Sequence, residues 1–375
     1  MSYAMDNRAA KGTALYTRKL VERLLDDDRF EWCLVHFERV DDPLYRRARE
    51  IVMPKLRLPA ATRFVRTMLF FWKYRHEGFD IIHWFQPRLY PFFWLAPACH
   101  IVVTAHGAGD ITAPGAFPLS RRIFNFILKH FNHTVDALIG VSEFGREEII
   151  EYYRADPERT YAIYNGGGED FHPILKSEAG RITSKYGIVQ PFILDVSRLV
   201  PHKNVDAVIR AYDILRTDPS RREQLVIVGG PGYRHEETYA LARRSPYASS
   251  ILFIEYVPQE DLNALYAAAE VFVFPSLNEG FGLPVVEAFA SGTPVVTSNV
   301  AALPEIAGSA ALLVDPYKPD HIAGAIGRIL SDQSLRASLV EKGRARAKQF
   351  TWKKTAEETL ALYHSLAESI RWSGR

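Results

Sequence analysis

Two glutamates, Glu279 and Glu287, flank the stretch of this 375-residue chain best suited to chemistry, with seven residues between them. The surrounding segment "VFVFPSLNEGFGLPVVEAFASGTPVV" (271–296) reads as strand, glycine-containing loop, short helix, glycine stop and strand. Gly280 and Gly282 leave backbone N–H groups open to close approach by a ligand. Pro284 suits the start of a helix and Gly292 its end. The amides of Gly280, Phe281, Gly282 and Leu283 then stand at a helix N-terminus, where a phosphate or a sugar hydroxyl binds readily. Glu279 falls in the loop and Glu287 in the first helical turn, so their carboxylates could accept hydrogen bonds from sugar hydroxyls on either side of a diphosphate. An acid in a first turn also serves as a plain dipole partner, and that reading stays open for Glu287. Two cations, Arg198 and Lys203, follow the strand-like "FILDVS" and could neutralise a leaving diphosphate; as exposed loop cations they would do nothing. His106 directly follows "HIVVTA", a position that is structural more often than catalytic.

These residues need a frame that carries them at strand ends. In the first half the candidate strands are Tyr3–Met5, Trp32–Phe37, Ile81–Trp84, Ile101–Ala105, Ala137–Val141 and Thr160–Tyr164. Helical patterns such as "ALYTRKLVERLLDD" and "RRIFNFILKHFN" lie between them, with apolar residues three and four apart. Residues 166–191 are rich in glycine and polar residues and break this rhythm, which predicts a domain boundary. The alternation then restarts through "LVIVGG", "ILFIEYV", "VFVFPS", "PVVTSN" and "ALLVD". Near-continuous apolar strands separated by helices predict parallel sheets covered on both faces. The expectation is α/β, with two Rossmann-like domains facing across a cleft. The first would span 1–172 plus a C-terminal helix at about 356–375, and the second 173–355. In open parallel sheets ligands bind outside the carboxyl ends of the strands, where Arg198, Lys203, Glu279 and His106 all fall.

The 279–287 segment resembles the signature of glycosyltransferase family 4, E-G-F-G-x-P-x-x-E, at every position from Glu279 to Glu287. The resemblance implies the GT-B fold and a retaining transferase that needs no metal and no cofactor. Glu279 and the 280–283 amides would contact the donor sugar, and Glu287 the nucleotide ribose. "LDVSRLVPHKN" resembles the segment whose arginine and lysine bind the diphosphate, here Arg198 and Lys203, with Asn204 where glycine is common. "HIVVTAHGAGD" is similar to the segment bearing the family's cleft histidine, which assigns His106 to the transferred sugar near its anomeric carbon and Asp110 to acceptor orientation. "AMDNRAAKGTALYTRKL" resembles the opening glycine loop, placing Gly12 by the diphosphate, with Lys11 where a second glycine is usual. "YNGGGEDFHP" resembles the hinge. "EYVPQEDLNALYAAAEVFVFPS" resembles the base-binding region, with main chain near Val257 and Pro258 on the nucleobase. "FTWKKTAEETLALYHSL" resembles the last helices, which return to the first domain. The likeness is strongest over 192–300 and weakest over 38–98. It implies transfer of a hexosyl group from GDP-mannose or UDP-glucose to a hydroxyl acceptor, lipid-linked or polysaccharide. The alternatives are an epimerase on the same architecture and a catalytically silent sugar-nucleotide-binding subunit.

Composition sets the outer limits. A hydrophobic fraction of 47% and a charged fraction of 24% exclude extensive disorder, and a net charge of +2 gives no sign of a nucleic-acid partner. Cys33 and Cys99 are isolated and read as buried thiols in a reducing compartment. The N-terminus lacks a secretory pattern and no apolar run reaches the ~18 residues of a spanning helix, so a cytoplasmic protein is expected. Asp26-Asp27-Asp28 ends a helical pattern and reads as a solvated helix end rather than a metal motif. "VGGPGYR" (228–234) reads as a turn lining the nucleotide side. Two basic, bulky apolar stretches, 63–79 and 121–131, have the composition of helices lying on an anionic bilayer, and equally that of helices covering a sheet.

Overall fold

The computed structural model describes residues 12–36, 41–52, 62–85, 95–96, 98–107 and 126–373. The strand expected at Tyr3–Met5 lies outside them, as do Lys11 and Asp110. The chain divides into two units, Met1–Gly166 with Trp352–Arg375, and Gly167–Thr351. The expected boundary at 172/173 moves to Gly166/Gly167 because the hinge-like residues are tied to the second unit. There Gly167 N–H donates to Phe350 O, Phe171 packs edge-on to Tyr266, and His172 N–H donates to Asn263 Oδ1.

The described elements of the first unit are α1 (Thr13–Leu24), β1 (Cys33–His36), β2 (Arg49–Val52), α2 (Thr62–Lys73), β3 (Phe79–Trp84), β4 (Ala98–Ala105), β5 (Ala137–Gly140), α3 (Glu143–Tyr153) and β6 (Thr160–Ala162). β1 and β2 pair in parallel, and β3-β4-β5-β6 form a second parallel sheet. β2 was not anticipated: its "REIV" is too short and too charged to read as a strand. Trp84, Val103 and Leu128 centre the core, and α2 covers it with Phe70 and Phe71. The sheet-covering reading of α2 therefore holds for one of its faces. Cys33 is half-buried and Cys99 is exposed near the start of β4, so neither is the buried thiol expected.

In the second unit the elements run α4 (Lys176–Lys185), β7 (Phe192–Val196), α5 (Val205–Leu215), β8 (Gln224–Val228), α6 (His235–Arg244), β9 (Ile251–Ile254), α7 (Gln259–Ala268), β10 (Val271–Phe274), α8 (Leu283–Ser291), β11 (Val295–Ser298), α9 (Leu303–Ala307), β12 (Ala311–Val314), α10 (Pro319–Ser331) and α11 (Gln333–Ala347). Its six strands are all parallel, in the order β9-β8-β7-β10-β11-β12. The four central strands, β8, β7, β10 and β11, are buried on both faces, which is why they read as unbroken apolar runs. Ile193, Leu225, Ile227 and Val273 pack with α5 and α10, while Phe272 meets Tyr266 of α7 on the opposite side. The strand order reverses between β7 and β10, and such a switch point opens a crevice at the carboxyl edge.

The last helix, α12 (Trp352–Ser373), belongs to the first unit. Thr355 Oγ1 donates to Tyr164 O, and Tyr363 OH meets His83 Nδ1 at 2.5 Å. His83 Nε2 pairs with Thr104 Oγ1, and burial holds the imidazole pKa well below its ordinary value, so it stays neutral. No helix among the described residues is long and apolar enough to cross a membrane.

Beyond β8, a Cβ on Gly229 would lie 1.9 Å from Ser197 O, whereas one on Gly230 would come no nearer than 3.7 Å to Glu255 O. Gly229→Ala should therefore cost about 2 kcal/mol or more through overpacking, and Gly230→Ala less than about 1. Urea unfolding of the pair checks this; equal effects would refute the close-approach argument.

Candidate active site

At the switch point the sequence supplies one charged residue on each side. The loop after β7 contains a 3-10 turn, Pro201–Lys203, and β10 runs into the loop that carries Glu279. Lys203 Nζ forms an ion pair with Glu279 Oε1 and also sits 5.2 Å from the centroid of the Phe274 ring. Both charged groups are largely withdrawn from water, where their fields are screened less than at an open surface.

Backbone and side-chain bonds lace the two loops together. Leu277 N–H and Ser276 Oγ both donate to His202 O, at 2.7 and 2.9 Å. Asn204 follows Lys203 with φ 60°, in the left-handed region that asparagine tolerates better than most residues. Its Nδ2 donates to Pro275 O at 3.1 Å and to Pro316 O at 2.7 Å. A glycine would supply the conformation without the bonds, so the departure at this position pins the lysine loop to the segments that follow β10 and β12.

α8 starts at Leu283, with Gly282 as its N-cap at φ 102° and no side-chain cap. Its N-terminal amides therefore lie on the same edge as Lys203 and Glu279. The conformation at Gly282 favours glycine, and a Cβ there would also lie 2.6 Å from Leu303 Cδ2, which would have to shift. Phe281 is buried edge-on against Phe350, which holds the Gly280–Gly282 loop from behind.

Glu287 corrects one expectation. It is the fifth residue of α8, past the first turn, and it is buried. The dipole-partner reading fails for that reason. Tyr266 OH donates to Glu287 Oε2 at 2.9 Å, and burial first, then the Glu287 charge, hold the phenol pKa far above its ordinary value. The tyrosine is thus a permanent donor that orients the carboxylate.

Arg198 is exposed, and its Nε donates to Pro231 O at 3.4 Å, so it lies along the Gly-Pro-Gly turn after β8. Val257 lies in the loop between β9 and α7 with its side chain buried. Sequence reasoning passed over Asp195, a fully buried acid inside the apolar run of β7. Ser197 Oγ donates to its Oδ1 at 2.5 Å, and its Oδ2 has no hydrogen-bond partner. Burial pushes its carboxyl up to about 7, against the opposing pull of Ser197 and Lys203.

Two predicted residues fall in the first unit. Gly12 caps α1 at φ 67°, and its carbonyl accepts from Tyr16 N–H. The Tyr16 ring stands edge-on to His106, with centroids 4.8 Å apart. His106 Nε2 meets Phe85 O at 3.1 Å; a carbonyl only accepts, so Nε2 carries the proton. α1 thereby links the two. Asp26 is exposed and pairs with Arg47, in keeping with a solvated helix end, whereas the Asp27 carboxylate is largely covered and pairs with Arg29.

Two tests follow from this geometry. Asn204→Gly should lose about 1–3 kcal/mol with its two hydrogen bonds, and Asn204→Ala about 1 kcal/mol more through left-handed strain; chemical denaturation ranks the variants, and an alanine as stable as the glycine would contradict the account. For Asp195 the folded pKa exceeds the unfolded one, so the native state binds the extra proton. Stability is then greatest below about 4 and is lost as pH rises through about 7. Asp195→Asn escapes this loss. Its stability advantage should grow between about pH 4 and 7 to the order of 4 kcal/mol and level off above; urea titrations giving a pH-independent difference would refute it.

Comparison with known proteins identifies the family. The family described as "Glycosyl transferases group 1" matches residues 182–346, and "Glycosyltransferase Family 4" matches residues 10–166. O-antigen chain mannosyltransferase B of Escherichia coli is 34% identical over 269 residues, covering 71% of this chain and 70% of that protein. The serotype-specific mannosyltransferase WbdA of Escherichia coli is 31% identical over 62% of this chain, which spans only 29% of its length. A D-inositol 3-phosphate glycosyltransferase of Acidothermus cellulolyticus is 34% identical, covering 73% of this chain and 63% of that protein. Among solved structures, a sucrose-phosphate synthase from Thermosynechococcus elongatus shares the fold with TM-score 0.78 at 23% identity, covering 98% of each chain. Anabaena HepE in complex with UDP-glucose does so with TM-score 0.74 at 19% identity, covering 95% of this chain and 98% of that one. With its two Rossmann-like units and parallel sheets, the chain belongs to glycosyltransferase family 4 and is a glycosyltransferase of the GT-B fold.

Proposed function

We propose that the protein moves a mannosyl or glucosyl group from a nucleoside diphosphate sugar to a hydroxyl of a lipid-linked or polysaccharide precursor, with retention at the anomeric carbon and without a metal ion. The observation that carries this reading is the Lys203–Glu279 pair at the switch point, beside the uncapped N-terminus of α8. In this reading Lys203 and Arg198 hold the leaving diphosphate, and Glu279 with the 280–283 amides receives the sugar hydroxyls. Glu287, steadied by Tyr266, takes the ribose. The cations supply the charge stabilisation that a metal would otherwise provide at a departing diphosphate. Four assignments rest on family membership rather than on this geometry. They are His106 on the transferred sugar, Gly12 by the diphosphate, Asp110 toward the acceptor and the Val257 main chain on the base.

Mannosyl transfer, with GDP-mannose as donor, is favoured by the mannosyltransferases among the relatives, and the O-antigen named for one of them supports a polysaccharide acceptor. UDP-glucose is the second choice, since HepE binds it. The compartment in this reading is the cytoplasm.

Calorimetry and thermal shift with GDP, UDP, ADP and their sugar conjugates in EDTA test the donor assignment. One nucleoside diphosphate should raise the melting temperature, and Glu287→Ala should abolish the shift. Lys203→Ala should lower turnover about a hundredfold, the ~3–4 kcal/mol typical of removing one preorganised electrostatic donor. No shift with any nucleotide, or Lys203→Ala within threefold of wild type, would defeat the proposal.

A further inference from the structure

α2 presents two apolar faces, and only one of them meets the core. Phe70 and Phe71 point inward and are 2% and 5% exposed, with Thr67 buried beside them. Val65, Met68, Leu69 and Trp72 recur at the three- and four-residue spacing of a single helical stripe, and they are 43%, 41%, 40% and 66% exposed. The stripe is therefore not part of the sheet-covering surface. Large exposed side chains elsewhere in the described residues, such as Leu175, Tyr233 and Tyr317, do not form such a row.

The described charged side chains beside Trp72, Lys73 and Arg75, are both basic. α2 reads "TRFVRTMLFFWK", with three basic residues and no acid. Lys73 ends it with Nζ 5.1 Å from the Tyr74 ring centroid, and the Arg75 guanidinium sits 4.8 Å from that of Trp72. The acid that follows, Glu77, is engaged by Arg49. An apolar row with a tryptophan, edged by cations, matches a bilayer interface: the acyl boundary takes the row and anionic headgroups take the cations. A second copy of the chain would instead bring like charges together.

We propose that the outer face of α2, formed by Val65, Met68, Leu69 and Trp72 with Lys73 and Arg75 at its edge, is a docking surface for an anionic lipid bilayer. The surface lies on the first unit and does not depend on the donor assignment; it would hold the enzyme where a lipid-linked acceptor is found.

The test is flotation of the full-length protein with phosphatidylcholine vesicles, with and without phosphatidylglycerol. Wild type should float with the anionic vesicles and be released by salt. Leu69→Ser combined with Trp72→Ser should cut the partition at least about tenfold, and Arg75→Glu should cut it roughly tenfold on anionic vesicles only. All three side chains are on the surface, so unchanged melting curves and an unchanged nucleotide-induced shift separate lost docking from lost folding or lost donor binding. Absence of wild-type flotation, or flotation equal in the double variant, overturns the proposal. So does a wild-type dimer in sedimentation that the double variant abolishes, which would make the face a self-interface.

Discussion

The second sheet reverses its strand order between β7 and β10, and this reversal is the constraint on which the site depends. Connections leaving those two strands go to opposite faces of the sheet, so no helix closes the edge above them. Lys203 arrives from one side and Glu279 from the other, and their ion pair spans the gap. The supporting contacts serve that meeting. Asn204 fixes the lysine loop to the segments after β10 and β12, His202 O gathers the Ser276 hydroxyl and the Leu277 amide, and Gly282 lets α8 begin at the same edge.

A second layer of polar groups lies beneath this edge. Tyr266 reaches from α7 to Glu287 on α8, and Asp195 lies inside β7 with Ser197 as its donor. A buried carboxyl lacking a full set of partners is costly, and Asp195 relieves part of that cost by holding its proton up to about pH 7. The arrangement concentrates acids and one lysine where the fold itself offers backbone amides. Binding of a polar, multiply hydroxylated and negatively charged ligand is what such a combination can do chemically.

The second unit was legible because its central strands are buried on both faces: "FILDV", "LVIV" and "VFVF" leave no other reading. The glutamate segment was legible because glycine, proline and acid stand there in fixed order. What escaped depended on partners far away in sequence. Asn204 looked like a mere departure from glycine, and its bonds to Pro275 and Pro316 carry no local signal. Glu287 falls one residue further into the helix than Pro284 as a start implies, because the helix begins at Leu283, and its partner, Tyr266, sits on another helix. β2 went unseen because half of "REIV" is charged. The stretch containing α2 allowed two readings, sheet cover and surface helix, because this helix has an apolar row on each of two faces.

Hydrogen exchange of the protein with and without a saturating nucleoside diphosphate tests the central claim most directly, since a bound ligand slows exchange in the backbone that it orders. The account predicts added protection concentrated in two stretches of the second unit, 198–204 and 277–287. Protection confined to other segments, with those two loops exchanging as before, would contradict it.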